Sequence, residues 1–127
     1  MNTSARIKSA SWGPVQHSTV AAFADASADH NPLHLDSDAA HAAGFDSVII
    51  HGMLSMARLA KLVTDTYPLP HRLLEFEARF VAPAPLGSMI SCSGETSGFS
   101  EGEAVIALEA ALEDGTVIMR GSARVAE

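Results

Sequence analysis

One cysteine, Cys92, occurs in the 127 residues, so no disulfide can form within the chain. It sits in Met89-Ile90-Ser91-Cys92-Ser93 and reads as a buried strand thiol, not a nucleophile. Basic residues number eight against fifteen acidic ones, for a net charge of −7, and they are scattered: Arg6, Lys8, Arg58, Lys61, Arg72, Arg79, Arg120 and Arg124. No basic run exists to neutralise a line of phosphates, which argues against nucleic acid as a partner. Uncharged apolar runs stay well short of the ~20 residues that span a bilayer, so no transmembrane helix is expected. Met1-Asn2-Thr3-Ser4-Ala5-Arg6-Ile7-Lys8 has no apolar segment behind its charges; with no secretory signal in view, the cytoplasm is the expected compartment. Repeats, low-complexity tracts and linkers are also lacking, which leaves a single domain over 1–127.

What is present is a core. Hydrophobic residues make up 47% and charged residues 18%, enough apolar material for one well-buried globular unit. The pattern changes near residue 70. Before it, Ser18 is placed to cap a helix through Val20, Ala21, Phe23 and Ala24 to about Ala28. Pro32 disfavours helix at Asn31, so Asp29 to Leu35 is expected as an ordered loop. Ser37 is an N-cap candidate for a short turn over Asp38 to Ala43, with Gly44 as its C′ residue.

From Gly52 to about Thr66 the residues Met53, Leu54, Met56, Ala57, Leu59, Ala60, Leu62 and Val63 cover most of a helical circumference. A helix apolar on so many sides is expected to be wrapped by other elements. Tyr67-Pro68-Leu69-Pro70 stops it. Leu74, Phe76, Ala78 and Phe80 then alternate with Glu75, Glu77 and Arg79, as in a half-buried strand. Pro83-Ala84-Pro85-Leu86-Gly87 makes a break. Further strands are expected over Met89 to Thr96 and Ala104 to Leu112, and Glu113-Asp114-Gly115 turns the last into Thr116 to Val125. The whole reads as α+β, with an antiparallel meander of three or four strands curled around one helix.

Chemistry concentrates in Asp29-His30-Asn31-Pro32-Leu33-His34. A bend at Pro32 can bring the Asp29 carboxylate and the His34 imidazole to one water, which one polarises while the other moves a proton. Asn31 can orient either partner or close a turn. The plainer alternative is that Asp29 caps the loop and His34 bonds only to backbone. Gly52, at the first turn of the long helix, offers unpaired N–H donors and a positive dipole end to a carbonyl oxygen gaining charge. It would serve equally to relieve crowding between helix and sheet. His30, His34, Asp36 and His41 are possible metal ligands by type, but their spacing fits no standard zinc pattern, and no metal is expected.

Taken together, the stretch from Phe23 to Asp36 resembles the hydratase motif of the MaoC-like, (R)-specific enoyl-CoA hydratase family, with the pattern Asp-x-Asn-Pro-x-His. The His51-Gly52-Met53 step extends the resemblance, as does Arg79-Phe80 followed by a proline-containing turn; it runs from about Val15 to the last strand. It implies a hot-dog fold, an antiparallel sheet wrapped around the central helix. It also implies a homodimer, or a higher homo-oligomer, with sheets joined edge to edge and substrate tunnels at the interface.

The resemblance assigns Asp29 and His34 as the catalytic dyad, Asn31 as its support and Gly52 as backbone donor to the thioester carbonyl. His51, Met53, Ser55, Arg58 and Arg79 become candidate substrate contacts. Lys61 and Arg72 join Arg58 and Arg79 as candidates for a phosphate, and Ala57 and Ala60 as candidates for the tunnel floor. The implied reaction is reversible addition of water to a trans-2-enoyl thioester, or dehydration of the (R)-3-hydroxyacyl thioester. No cofactor is called for, because coenzyme A or acyl-carrier phosphopantetheine arrives as part of the substrate. A hot-dog thioesterase and a non-catalytic acyl-binding subunit of a hetero-oligomeric dehydratase are the alternatives. The chain departs from the family pattern at Ala28, where the family has glycine, and at Pro85-Leu86-Gly87-Ser88, where it has Pro-Gly-Asp.

Overall fold

In the computed structural model, residues 5–126 are described; the first four and the last residue of the expected domain lie outside them. The long apolar stretch forms the helix that organises everything else. Helix α4 (Gly52–Thr66) buries Ser55, Leu59, Leu62 and Val63, the i, i+4, i+7, i+8 stripe of a helix lying on a sheet. Leu54 and Met56 pack partly buried against the same core. Met53, Ala57 and Thr64 stay exposed, so the expectation of burial on most sides is corrected. A sheet curling over a cylinder covers only the near part of its circumference.

Five strands, β1 (Ala5–Trp12), β2 (Arg72–Phe80), β3 (Ile90–Ser100), β4 (Glu103–Leu112) and β5 (Val117–Ala126), pair antiparallel in the order β1-β3-β4-β5-β2. The meander expected from the sequence is β3-β4-β5, with β2 and β1 added at its two edges. Helix α4 packs on all five strands. Leu59, Leu62 and Val63 meet Ile90, Ile106, Leu108, Met119 and Val125 in one buried cluster.

Strand β1 escaped the sequence reading because a register shift between Ile7 and Ala10 breaks its alternation. Ile7 packs inward before the shift and Trp12 after it. Strand β2 alternates less than its sequence suggested. Phe76 and Ala78 reach the core, but Leu74 falls in a register shift between Leu73 and Glu75, and Phe80 stays 54% exposed.

Three shorter helices lie before α4: α1 (His17–Ser27), α2 (Pro32–Leu35) and α3 (Ser37–Ala42). Helix α1 starts one residue before Ser18; Gln16 takes the cap position without a side-chain bond. The expected 29–35 loop contains α2, because Pro32 sits at its first turn, where a missing N–H costs nothing, and the Asn31 side chain caps it. Asp36, not Ser37, caps α3 by accepting from Asp38 N–H. Gly44 follows α3 at φ 94°, the left-handed geometry expected of a C′ residue. No helix of the described residues is long and apolar enough to cross a membrane.

Candidate active site

The end of α1 sets the position of Asp29. Ala28 closes the helix in the left-handed conformation, φ 61° and ψ 22°, which turns the chain sharply toward α4. The Ser27 hydroxyl donates to Phe23 C=O at 2.7 Å and accepts from Asp29 N–H at 3.3 Å. The Asp29 carboxylate accepts from Asn31 N–H at 3.2 Å, and Asn31 Oδ1 accepts from Leu33 N–H at 3.0 Å. Asp29 and Asn31 thus form two successive side-chain turns that deliver the chain into α2.

Helix α2 carries His34 inward. Its Nδ1 lies 2.7 Å from Ile49 C=O. A carbonyl only accepts, so Nδ1 bears the proton, and in the neutral ring Nε2 keeps the lone pair. The peptide that bears this carbonyl is itself held, since the Ile50 N–H donates to Ala84 C=O at 2.8 Å. The sequence held no sign of this carbonyl, because any residue supplies one.

Asp29, His34 and His51 each place one ligating side-chain atom so that all three lie within 4.8 Å of one another. His51 is fully buried at the N-cap of α4; its Nε2 donates to Asp29 C=O at 3.0 Å. The His34 and His51 rings stack, 3.9 Å between centroids and 24° from parallel. Near-parallel stacked rings send their in-plane lone pairs side by side, a poor arrangement for two ligands of one ion. The other histidines considered for metal are taken up locally. His30 contacts Asp25 at 3.0 Å, His41 donates to Asp46 C=O at 2.9 Å, and Asp36 caps α3.

A cavity of about 420 Å³ opens at this point, with Asp29, His34, Gly52, Met53 and Ser55 on one wall. Ile49, Ile50, Phe80 to Ala84, Ile118 and Met119 supply the rest. The deep end is made by the buried Ile50, Ala84, Ile118 and Met119, and the rim by the exposed Met53, Phe80 and Val81. Nothing in the sequence marked Ile118 or Met119 as cavity lining.

Gly52 begins α4, so its N–H has no intrahelical acceptor, and His51 makes no side-chain cap bond. A Cβ at Gly52 would come 2.8 Å from Phe80 Cε1. The glycine therefore lets the rim ring lie against the helix start.

The other candidates fall elsewhere. Asn31 does not line the cavity but braces Asp29. His51 lies behind His34 and Asp29, outside the lining. Arg58 sits 4.9 Å over the Trp12 ring, and Lys61 pairs with Asp65 at 2.6 Å. Arg79 pairs across the sheet with Arg120. Neither Arg58 nor Arg79 lines the cavity, nor do Lys61, Arg72, Ala57 and Ala60.

The site can therefore hold a water between a carboxylate and an imidazole nitrogen, against an apolar cleft with backbone donors at its edge. The chain as a whole is similar to several known proteins. The (R)-specific enoyl-CoA hydratase of Aeromonas caviae is 30% identical over 109 residues, covering 84% of this chain and 81% of the relative. The solved structure of an A. caviae (R)-hydratase superposes with a TM-score of 0.89 at 26% identity, over 99% of this chain and 96% of that one. A 3-hydroxyacyl-thioester dehydratase Z of Mycobacterium tuberculosis is 29% identical over 101 residues, 76% of this chain and 67% of the relative. The fold is accordingly a hot-dog, five antiparallel strands on a central helix. With residues 2–117 matching the family model described as MaoC like domain, the chain belongs to the MaoC-like hydratase and dehydratase family.

Proposed function

We propose that the protein is an (R)-specific enoyl-CoA hydratase, adding water reversibly to trans-2-enoyl thioesters to give (R)-3-hydroxyacyl thioesters. The observation that carries this reading is the approach of the Asp29 and His34 polar atoms to within 4.8 Å on one wall of an apolar cavity. A water there donates one hydrogen to the Asp29 carboxylate and the other to His34 Nε2. As its oxygen attacks Cβ, Nε2 takes the proton, and the thioester carbonyl draws the electron pair toward an enolate-like oxygen. The Gly52 N–H at the start of α4 lies where that oxygen gains charge. The proton on Nε2 then passes to Cα on the same face, so addition is syn and the ring is restored.

Coenzyme A is the favoured handle, since a chain of net charge −7 gives an acidic carrier protein little electrostatic attraction. A homodimer fits the distribution of exposed apolar side chains. Strand β2 ends the sheet, and Leu73, Leu74, Phe80 and Val81 on or just after it are exposed, with Met53 beside them at the cavity rim. An apolar sheet edge is an unstable terminus that pairing with a second copy covers.

The test is incubation of the purified protein with crotonyl-CoA, following enone absorbance and free thiol together. Loss of absorbance without thiol supports hydration. Thiol release would indicate a thioesterase instead, and no change in either would point to a non-catalytic subunit. Asp29→Asn and His34→Ala should each lower kcat by at least about a hundredfold.

A further inference from the structure

The hydratase reading uses Asp29, His34 and Gly52 but leaves His51 idle, although it is 1% exposed and touches both members of the dyad. Its Nε2 donates to the main-chain carbonyl of Asp29, and its ring lies flat against that of His34. Phe23 packs edge-on against its other side at 4.9 Å. Nδ1 is buried with no hydrogen-bond partner among the described residues. An apolar ring there would fill the space without leaving a buried acceptor unsatisfied. The histidine is therefore poorly suited as simple packing, and its one satisfied polar atom is the donor to Asp29.

That bond matters because of what precedes Asp29. Ala28 holds a left-handed φ without being glycine, so the turn that aims the carboxylate is strained. The Asp29 residue is pinned from two sides: its N–H by Ser27 Oγ, and its C=O by His51 Nε2. The second pin comes from the first residue before α4, the helix whose Leu59, Leu62 and Val63 lie in the buried core.

We propose that His51 is a positioning residue. It locks the strained Asp29 turn to the start of α4 and sets the plane of the His34 ring, so that carboxylate and Nε2 face one water. This assignment rests on the hydratase reading for its kinetic consequence, and on geometry alone for its structural one.

Three variants separate the parts. His51→Phe keeps a ring against His34 and Phe23 and removes the donor. His51→Gln keeps an N–H within reach of Asp29 C=O and gives up the ring. His51→Met, more adaptable in shape, takes the place of His51→Phe if the larger ring prevents folding.

With crotonyl-CoA, His51→Phe is expected to lose about ten- to a hundredfold in kcat while KM changes by less than about threefold, the signature of a misplaced reacting group. His51→Gln should recover most of the loss. In an Asp29→Asn background, His51→Phe should cost less than about twofold more, because its effect passes through Asp29. A folded His51→Phe protein with wild-type kcat, a Gln variant as impaired as the Phe variant, or full additivity with Asp29→Asn would each overturn the proposal.

A second readout needs no turnover. In ¹⁵N spectra of the free protein, His51→Phe should shift the His34 ring resonances and the amides of Asp29 to Asn31 and speed their hydrogen exchange. Unchanged spectra overturn the assignment whatever the activity. A wild-type protein inert toward enoyl thioesters, with spectra that do shift, refutes the hydratase reading and supports His51 as the pin of the turn.

Discussion

The Phe80 ring lies so close to Gly52 that a single added methyl group would come within 2.8 Å of its Cε1. The backbone at Gly52 is not left-handed, so alanine is sterically acceptable to the helix itself. The conflict is with a ring at the rim that is 54% exposed and able to swing. Gly52→Ala should therefore leave stability within about 1 kcal/mol of wild type. Hydration of crotonyl-CoA should fall by about tenfold or more, because the displaced ring and the new methyl crowd the helix-start donor. Paired urea melts and initial rates check this; a variant equally active and equally stable removes Gly52 from the site.

Ala28 offers the opposite trade. Its φ of 61° is strained for any residue with a Cβ, and glycine removes that strain at the cost of a more flexible unfolded chain. Ala28→Gly should raise the unfolding free energy by up to about 1 kcal/mol, read as a higher urea midpoint at unchanged slope. A lower midpoint would show that the turn is relaxed as it stands.

Burial pushes the Cys92 thiol up, outweighing the Trp12 side chain and the Arg58 guanidinium, which both pull it down. The native chain then holds the thiol proton more tightly than the unfolded chain does. That contribution to stability is complete below the unfolded thiol's range and is lost as pH climbs through and above it. Wild type should lose stability more steeply than Cys92→Ala between about pH 8 and pH 10, as read from urea midpoints. Native Cys92 should also resist alkylation at neutral pH until the protein unfolds.

The exposed apolar edge of β2 gives a fourth expectation. Leu74→Lys places a charge in the register shift of that edge strand, where it should not disturb the core. Sedimentation should show wild type at twice the chain mass and the variant shifted toward one chain. A wild-type protein that sediments as a single chain would remove the edge-to-edge dimer.

Much of the fold could be read from the residues, and the reasons are local. The extent of α4, the β3-β4-β5 meander and the Asp114-Gly115 hairpin all follow from periodicity and turn chemistry within short windows. What escaped depends on distant partners. Strand β1 is paired with β3, as in Ile7 with Gly94 and Trp12 with Ile90, far along the chain and broken by a register shift, so no window around Ile7 displays it. Helix α2 was missed because Pro32 was weighed as a breaker, although proline in a first turn is as compatible with a helix start.

The same divide runs through the site. Asp29, Asn31 and His34 sit in one short motif and were visible together, as was Gly52. The Ile49 carbonyl, the cavity walls from β5 and the inward turn of His51 come from packing between elements far apart in the chain. Arg58 and Arg79 were chosen for charge alone, and charge does not say which face of a helix or strand a residue occupies.

Residues 48–50 look like an ordinary connection, yet their main chain is held at every residue. Leu86 N–H reaches Val48 C=O, Ile49 N–H reaches Leu33 C=O, and Ile50 N–H reaches Ala84 C=O. The carbonyl of Ile49 meanwhile dictates which nitrogen of His34 is basic. Inserting or deleting one residue here would break the ladder and reset the imidazole in a single stroke. A change of length in this connection would therefore be felt first in the chemistry, however well the remaining architecture absorbed it.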